Sequence, residues 1–341
     1  MKPQLQSTCL NQLRLFSFSL LLGLLSMGTT QFAQAQEAKP LANKKIRLVV
    51  PFSPGGGVDG LARAVADNLT RNGGATVIVE NKPGAGGNIA AVQVAKSQTS
   101  ATGEIQMLVT SVNHYANPVM FRNAGYDAYK DFVPVAYLCT FPYAFIVPGD
   151  SKYNTLPEFL AAARTSPETL SWAFGGNGSL GHFLGVAMEQ SAKIKGVPVA
   201  YKGGPDLLTA LASKQVDMAI MSVQSSTPLV RQGRLKSLAV AGHVRNKVTS
   251  DVPAVNEIIT SYPNIVGFVA LYAPANTPVA LLNQLHSEMN KVLVSDDYKK
   301  RLDSDGSTAS IFPNVDALKA FFEKDGQVWE GLTRSTGLKV E

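Results

Sequence analysis

Two short stretches carry residue types and spacings that can do chemistry. In VVPFSPGGGVDGLARAVADNL (residues 49–69), Gly55, Gly57 and Gly60 satisfy G-x-G-x-x-G, and Glu80 follows twenty positions after Gly60. In LSWAFGGNGSLGHFLGVAMEQ (residues 170–190), Gly176, Gly178 and Gly181 repeat the spacing. Glycine lets a backbone turn tightly and approach a ligand closely. A helix that starts there offers unpaired N–H groups and the positive end of its dipole. Each loop is therefore fitted to hold an anion without a charged side chain. A dinucleotide pyrophosphate is one such anion. A carboxylate is another, and two facing loops grip the two ends of a di-acid or one carboxylate from both sides.

The nicotinamide reading meets obstacles in the same residues. In the fingerprint the first glycine follows the strand almost directly, whereas Pro51, Phe52, Ser53 and Pro54 intervene here. Asp59 would face a pyrophosphate unfavourably and suits a helix-capping acceptor better. No Gly-Lys-Ser/Thr follows the glycines, which excludes a Walker loop. Ser179 lacks the glycine arrangement of a nucleophile elbow. The histidines, His114, His182, His243 and His286, have no metal-ligand spacing, and no cysteine pair assists them. Cys139, in the apolar VAYLCTF, reads as a buried inert thiol. The expectation is a binding protein with no enzyme activity, no metal and no cofactor. His182 is either a cleft donor to a carboxylate or a locally packed helix-start residue. Phe52, Tyr115, Phe174 and Phe183 either floor a flat apolar cleft or pack beneath the loops.

The elements that must position these residues alternate along the chain. Strands are predicted at 46–50, 76–80, 106–110, 145–148, 170–174, 197–201, 216–221 and 235–241. Helices are predicted at 61–71, 89–96, 156–164, 180–193, 205–214, 279–294 and 315–329. Thr155, Thr227 and Thr277 read as caps, each followed by a helix whose start is marked by Pro. Such alternation describes an α/β protein with parallel sheets.

Residues 1–35 read as a signal peptide: Lys2 and Arg14 form a basic n-region, residues 15–25 are apolar, and Ala33-Gln34-Ala35 fits a cleavage site. The expected mature chain begins at Gln36 and is exported. Cys9 leaves with the leader, so Cys139 remains alone and no intrachain disulfide forms. An exported chain without disulfides needs a large core. At 45% hydrophobic residues this chain can build one as two lobes. Net charge is +6, and +4 without Lys2 and Arg14, with the basic residues scattered. Nucleic acid is not an expected partner, since it calls for a basic stripe.

Longer stretches carry a resemblance. IRLVVPFSPGGGVDGLAR, VIVENKPGAGGNIAA, NPVMFRNAGYDAYKDFVPVA, FGGNGSLGHFLG, VPVAYKGGPDLLTALASKQVDM, LVRQGRLKSLAVAG, DVPAVNE and LYAPANTPVALLNQL run in order along the chain. Together they resemble the Bug family, the periplasmic solute-binding receptors of tripartite tricarboxylate transporters. The resemblance implies a Venus-flytrap, periplasmic-binding-protein-like α/β fold of two lobes joined by hinge strands. It places lobe 1 at 36–141, lobe 2 at 142–263 and a return segment of lobe 1 at 264–341. It implies capture of an aromatic or aliphatic di- or tricarboxylate and its delivery, by a monomer, to membrane transporter subunits. Carried onto this sequence, the ligand residues are Phe52, Ser53, Pro54, Gly55, Gly56, Gly57 and Asp59 in the first loop. Thr110, Ser111, His114 and Tyr115 follow the third strand. Gly175, Gly178, Ser179 and His182 form the second-lobe loop, joined by Tyr201, Ser222 and Gln224. The alternatives are a solute sensor for a signalling partner and a nucleotide-dependent α/β enzyme.

Overall fold

The computed structural model describes residues 39–98 and 103–339. The expected leader and its cleavage site lie outside these. The elements in chain order are β1 (Lys45–Val50), α1 (Gly57–Asn68), β2 (Thr76–Asn81), α2 (Asn88–Ala95), β3 (Glu104–Thr110), α3 (Asn113–Met120) and β4 (Phe132–Thr140). Then come β5 (Tyr143–Pro148), α4 (Leu156–Thr165), β6 (Ser171–Phe174), α5 (Leu180–Ala192), β7 (Val197–Ala200), α6 (Gly204–Ala212), β8 (Met218–Ser222), α7 (Val223–Arg231) and β9 (Leu235–Val240). The chain ends with α8 (Val255–Ile258), β10 (Phe268–Pro274), α9 (Val279–Val294), α10 (Asp296–Asp303) and α11 (Val315–Thr336).

The strands form two sheets, ordered β2-β1-β3-β10-β4 and β7-β6-β8-β5-β9. In each, three parallel strands meet an antiparallel one: β10 runs against β3 and β4, and β5 against β8 and β9. The chain crosses from the first sheet to the second at 141–142, and β10 returns to the first. Strands β4 and β10 escape the sequence reading. Both are buried on both faces, so neither shows the alternation that marks a half-exposed strand.

Register in the first sheet is pinned by a charge cluster. Arg47 on the central β1 donates to Glu104 of β3 (Nε to Oε1, 2.6 Å) and to Glu80 of β2 (Nη1 to Oε2, 3.2 Å). Glu80 is thus engaged in the sheet, which leaves the acidic residue of the apparent fingerprint with a structural partner. One apolar core passes from the first sheet (Leu108, Tyr115, Phe132) through α11 (Phe322, Trp329) to the second (Phe145, Trp172, Phe183). Trp329 meets Phe183 with ring centroids 5.8 Å apart. The opposite face of each sheet has its own core, Leu48, Leu61 and Leu285 on one and Ala173, Leu211 and Ala219 on the other.

Helix starts follow local chemistry with two corrections. Thr155 caps α4, its Oγ1 accepting from Glu158 N–H while Glu158 accepts from Asn154 N–H. Thr227 does not open a helix. Helix α7 begins five residues earlier because Ser222 Oγ takes the N–H of Ser225, and Pro228 falls inside it. At α9, Pro278 itself occupies the cap, and Thr277 Oγ1 donates to the Pro274 carbonyl.

Candidate functional site

In open α/β sheets, ligands bind beyond the carboxyl ends of the parallel strands. Here six such ends feed helix N-termini: β1, β2 and β3 lead to α1, α2 and α3, and β6, β7 and β8 lead to α5, α6 and α7. The turns from the two sheets face one another. A Cβ on Gly203 would stand 3.3 Å from Ser53 N, and one on Gly204 would stand 3.7 Å from Gly56 Cα. Gly178, at φ +75°, turns where a Cβ would meet Asn117 Oδ1 at 2.5 Å. Only glycine suits that position, on both counts.

Two cavities lie between the facing turns. The smaller, about 50 Å³, is walled by Gly56, Gly57 and Val58 at the start of α1, Ser179 and Leu180 at that of α5, Gly203, Gly204 and Leu207 at that of α6, and Ser222 and Ser225 at that of α7, with Phe52, Ser111, Phe141, Tyr143, Gly175 and Met221 completing it. Four helix N-termini converge on a space sized for a few waters or one carboxylate group. No lysine or arginine lines it. At about 0.3–1 kcal/mol per helix end, the four dipoles together favour an anion by roughly 1–4 kcal/mol. The larger cavity, about 890 Å³, shares Phe52 and Gly175 with the smaller. Its walls include Gly84, Gly86, Phe121, Gly176, Tyr201, Lys202 and Asp206, a mostly apolar surface with one cation and one anion at its edge.

Several expected residues support this space without lining it. Asp59 is 2% exposed and faces away from both cavities. Its carboxylate accepts from Gly55 N–H (2.8 Å), Arg63 Nε and Nη2 (3.0 Å each) and Asn81 Nδ2 (2.9 Å). Asn81 also donates to the Phe52 carbonyl. Asp59 therefore fastens the 52–56 turn and leaves the α1 N–H groups to the cavity. Burial opposes its charge, yet these hydrogen bonds prevail and hold its carboxyl below the usual range. His182 Nδ1 accepts from Gly178 N–H (3.2 Å), and its ring stacks on Phe174 at 4.1 Å. Burial pushes it down to about 4, so it stays neutral and shapes the loop. Pro54 and Gly55 are exposed and line neither cavity.

Three expectations after β3 are corrected. His114 is 1% exposed, with Nε2 3.1 Å from the Ala128 carbonyl and its ring on Tyr272 at 4.3 Å. Tyr115, 2% exposed, accepts from Tyr272 OH in the aromatic core. Thr110 is spent on Asn113 Oδ1. The cause is α3: it starts at Asn113, and its first turn carries residues 114 and 115 under the sheet. Only Ser111 of that group reaches the small cavity, and its Oγ donates to the Phe268 carbonyl at 2.6 Å. Phe174 and Phe183 are likewise core residues, whereas Phe52 walls both cavities. Gln224 lies against α1, its Oε1 3.0 Å from where a Cβ on Gly57 would stand.

The sequence reading missed Gly203, Gly204, Gly84 and Gly86. Their signal was legible: YKGGPD and NKPGAGG are further glycine turns ahead of helices. It also missed Phe141 and Tyr143, on the crossing between sheets, which no motif marks. Among the described residues no cluster of His, Cys, Asp or Glu is arranged to hold a metal, and no helix is long and apolar enough to cross a membrane.

Comparison with known proteins places this geometry. Residues 61–338 match the family described as "Tripartite tricarboxylate transporter family receptor". The chain is 30% identical over 307 residues to the "UPF0065 protein in tcbD-tcbE intergenic region" of Pseudomonas sp. (strain P51), covering 89% of this chain and 90% of that one. The periplasmic binding protein BugD superposes with a TM-score of 0.81 at 26% identity, over 87% of this chain and 99% of its own. A protein of R. palustris solved with adipate matches equally, with a TM-score of 0.81, 26% identity and coverage of 87% and 98%. The fold is that of a two-lobed periplasmic binding protein.

Proposed function

The chain belongs to the tripartite tricarboxylate transporter receptor family, a family of solute-binding receptors and not of enzymes, and on that premise we propose that it captures an organic di-acid between its lobes. One carboxylate sits in the small cavity, held by the N–H groups of α1, α5, α6 and α7. Ser179, Ser222 and Ser225 add hydroxyls at its edge. The body of the acid extends past Phe52 into the larger cavity, against Phe121 and Tyr201, where Lys202 meets the second carboxylate. The lobes divide at 141/142 and 263/264, where the chain passes between the sheets. The protein is exported, loses its leader near Ala35, works as a monomer in the periplasm, and hands its solute to membrane transporter subunits.

The convergence of four helix N-termini on one buried cavity carries this reading. It explains how an anion is held where no cationic side chain stands. The adipate-bound relative supports the ligand class. Lobe closure removes water from the carboxylate and strengthens each N–H contact. Isothermal titration calorimetry of the mature chain against C4 to C8 dicarboxylates, aromatic di-acids, citrate and NAD tests it. One acid bound per chain is expected, with a compaction seen by X-ray scattering. Heat from NAD and none from any acid overturns the reading.

A further inference from the structure

Two buried polar atoms lack a hydrogen-bond partner at one place beside the cleft: Gln224 Oε1 and Arg301 Nη2. They come from opposite lobes. Gln224 is on α7, which follows β8 of the second sheet. Arg301 is on α10, which is anchored to the first sheet where Tyr298 OH donates to the Leu138 carbonyl (3.2 Å). Both side chains converge over the first turns of α1. A Cβ on Gly60 would stand 3.4 Å from Gln224 Nε2 and 3.9 Å from Arg301 Nη2. The other guanidinium nitrogen, Nη1, is held by Asp305 Oδ2 at 3.3 Å, which fixes the direction in which Nη2 points.

The amide NH₂ borders the Gly60 point that Arg301 Nη2 also borders, and the amide oxygen borders the Gly57 point beside Ser222 Oγ. A half-turn of the carboxamide exchanges two ends of nearly equal size. It brings Oε1 toward Arg301 Nη2 and the NH₂ toward Ser222 Oγ, which stands 3.1 Å from the same Gly57 point that Oε1 now faces. Ser222 Oγ accepts only from Ser225 N–H and donates to Ser225 Oγ, so it has a lone pair to spare. One rotation thus turns the orphaned acceptor to the side of α1 where the orphaned donor lies. A buried donor and a buried acceptor left unpaired are costly, so the turned amide is favoured.

We infer that Gln224 and Arg301 form a latch across the cleft, a charge-assisted hydrogen bond from the guanidinium of one lobe to the amide oxygen of the other, made only when the lobes are closed. The inference rests on the two-lobed receptor reading and extends it to residues outside the cavity walls. The latch holds part of the population closed before ligand arrives. It therefore raises affinity for every ligand by one factor, since apparent affinity scales with the closed fraction.

The test is a distance measurement between spin labels on cysteines placed at the exposed Lys96 and Lys152, one per lobe, with the buried Cys139 left in place. Ligand-free protein is expected to show two distances. Gln224→Ala and Arg301→Met are each expected to lower the closed-to-open ratio about tenfold, the factor set by one such bond. The double variant is expected to lower it no further than either single. Gln224→Glu, which faces Arg301 with a carboxylate, is expected to raise the ratio and guards against variants that merely fold badly. Additive losses, an unchanged ratio in either single variant, or a single open distance in the parent overturn the latch. Adipate is then added to the parent. If it leaves the ratio unmoved while the variants behave as stated, the ligand assignment fails and the latch stands.

Discussion

Gly57→Ala probes the small cavity at its most crowded wall. A Cβ at this position would stand 2.3 Å from Phe141 Cζ, 3.0 Å from Gln224 Oε1 and 3.1 Å from Ser222 Oγ. Gln224 and Ser222 belong to the lobe opposite α1, whereas Phe141 packs in the core of the lobe that contains α1. The methyl therefore meets both lobes, and meets Phe141 most closely. Within α1, alanine is the better helix former by about 0.5–1 kcal/mol. Displacing the Phe141 ring costs about 1–3 kcal/mol as overpacking, which outweighs that gain, so the melting temperature is expected to fall by a few degrees. Binding is expected to suffer, because the cavity keeps its four-sided form only if Phe141 and α7 stay in place. Losing the α1 dipole and one of its charge-assisted hydrogen bonds removes about 2–4 kcal/mol, roughly 30- to 1,000-fold in Kd. Calorimetry with the tightest di-acid from the panel gives the affinity, and scanning calorimetry on the same samples gives the melting temperature. A Kd within threefold of the parent refutes the assignment of the carboxylate to this cavity. An unchanged melting temperature refutes the claim that the methyl strains the packing of Phe141.

Ser179→Ala removes the cap of α5, where Oγ accepts from His182 N–H; a loss of about 1 kcal/mol in urea unfolding is expected, with weaker di-acid binding, and unchanged stability would mean the cap is not formed. Asp59→Ala releases the 52–56 turn and is expected to cost about 2 kcal/mol, less than a fully buried ion pair because Arg63 is half exposed; hydrogen exchange should rise at the amides of Gly55 and Gly56, and their continued protection would count against the role given to Asp59. Acid should destabilise the fold early. His182 and His114 are pushed by burial from about 6.5 down to about 4 and about 3, so their contribution is intact above pH 6.5 and is lost as pH falls through the folded values. Asp325, raised by burial to about 6, acts in the opposite sense, its contribution fading as pH rises through 6. With two histidines against one carboxyl, the melting temperature is expected to fall from pH 6.5 to pH 4.5; a flat profile would contradict the buried, neutral state of both imidazoles. Cys139 is fully buried and its thiol is raised well above the ordinary range by that burial, so it should resist thiol reagents until the protein is unfolded.

The chain's local chemistry is visible in its sequence. Strand follows helix with the right periods, Thr155 stands where a helix begins, and glycines mark four of the six turns between a parallel strand and the helix it feeds. Those features depend on neighbours a few residues apart, through φ, ψ and capping bonds, and so they can be read in one dimension. From them the sequence alone established an α/β protein built to present helix N-termini, and motif order along the chain pointed to a receptor. What the cavity is made of was decided elsewhere. The sequence assigned His114 and Tyr115 to the cleft, and the start of α3 at Asn113 turned both into the aromatic core. It placed Asp59 at the ligand, and a bond to Gly55 turned that carboxylate into the fastening of the loop. Phe141, Tyr143 and Ser225 carry no motif, yet they close the small cavity because β5 crosses beside α1. Gln224 and Arg301 are remote in sequence and meet only when two sheets and two helices are already in place. A helix dipole is a local property, but four of them acting on one carboxylate is a statement about distances between elements. Those distances come from sheet register, core packing and lobe closure, which only the folded chain fixes.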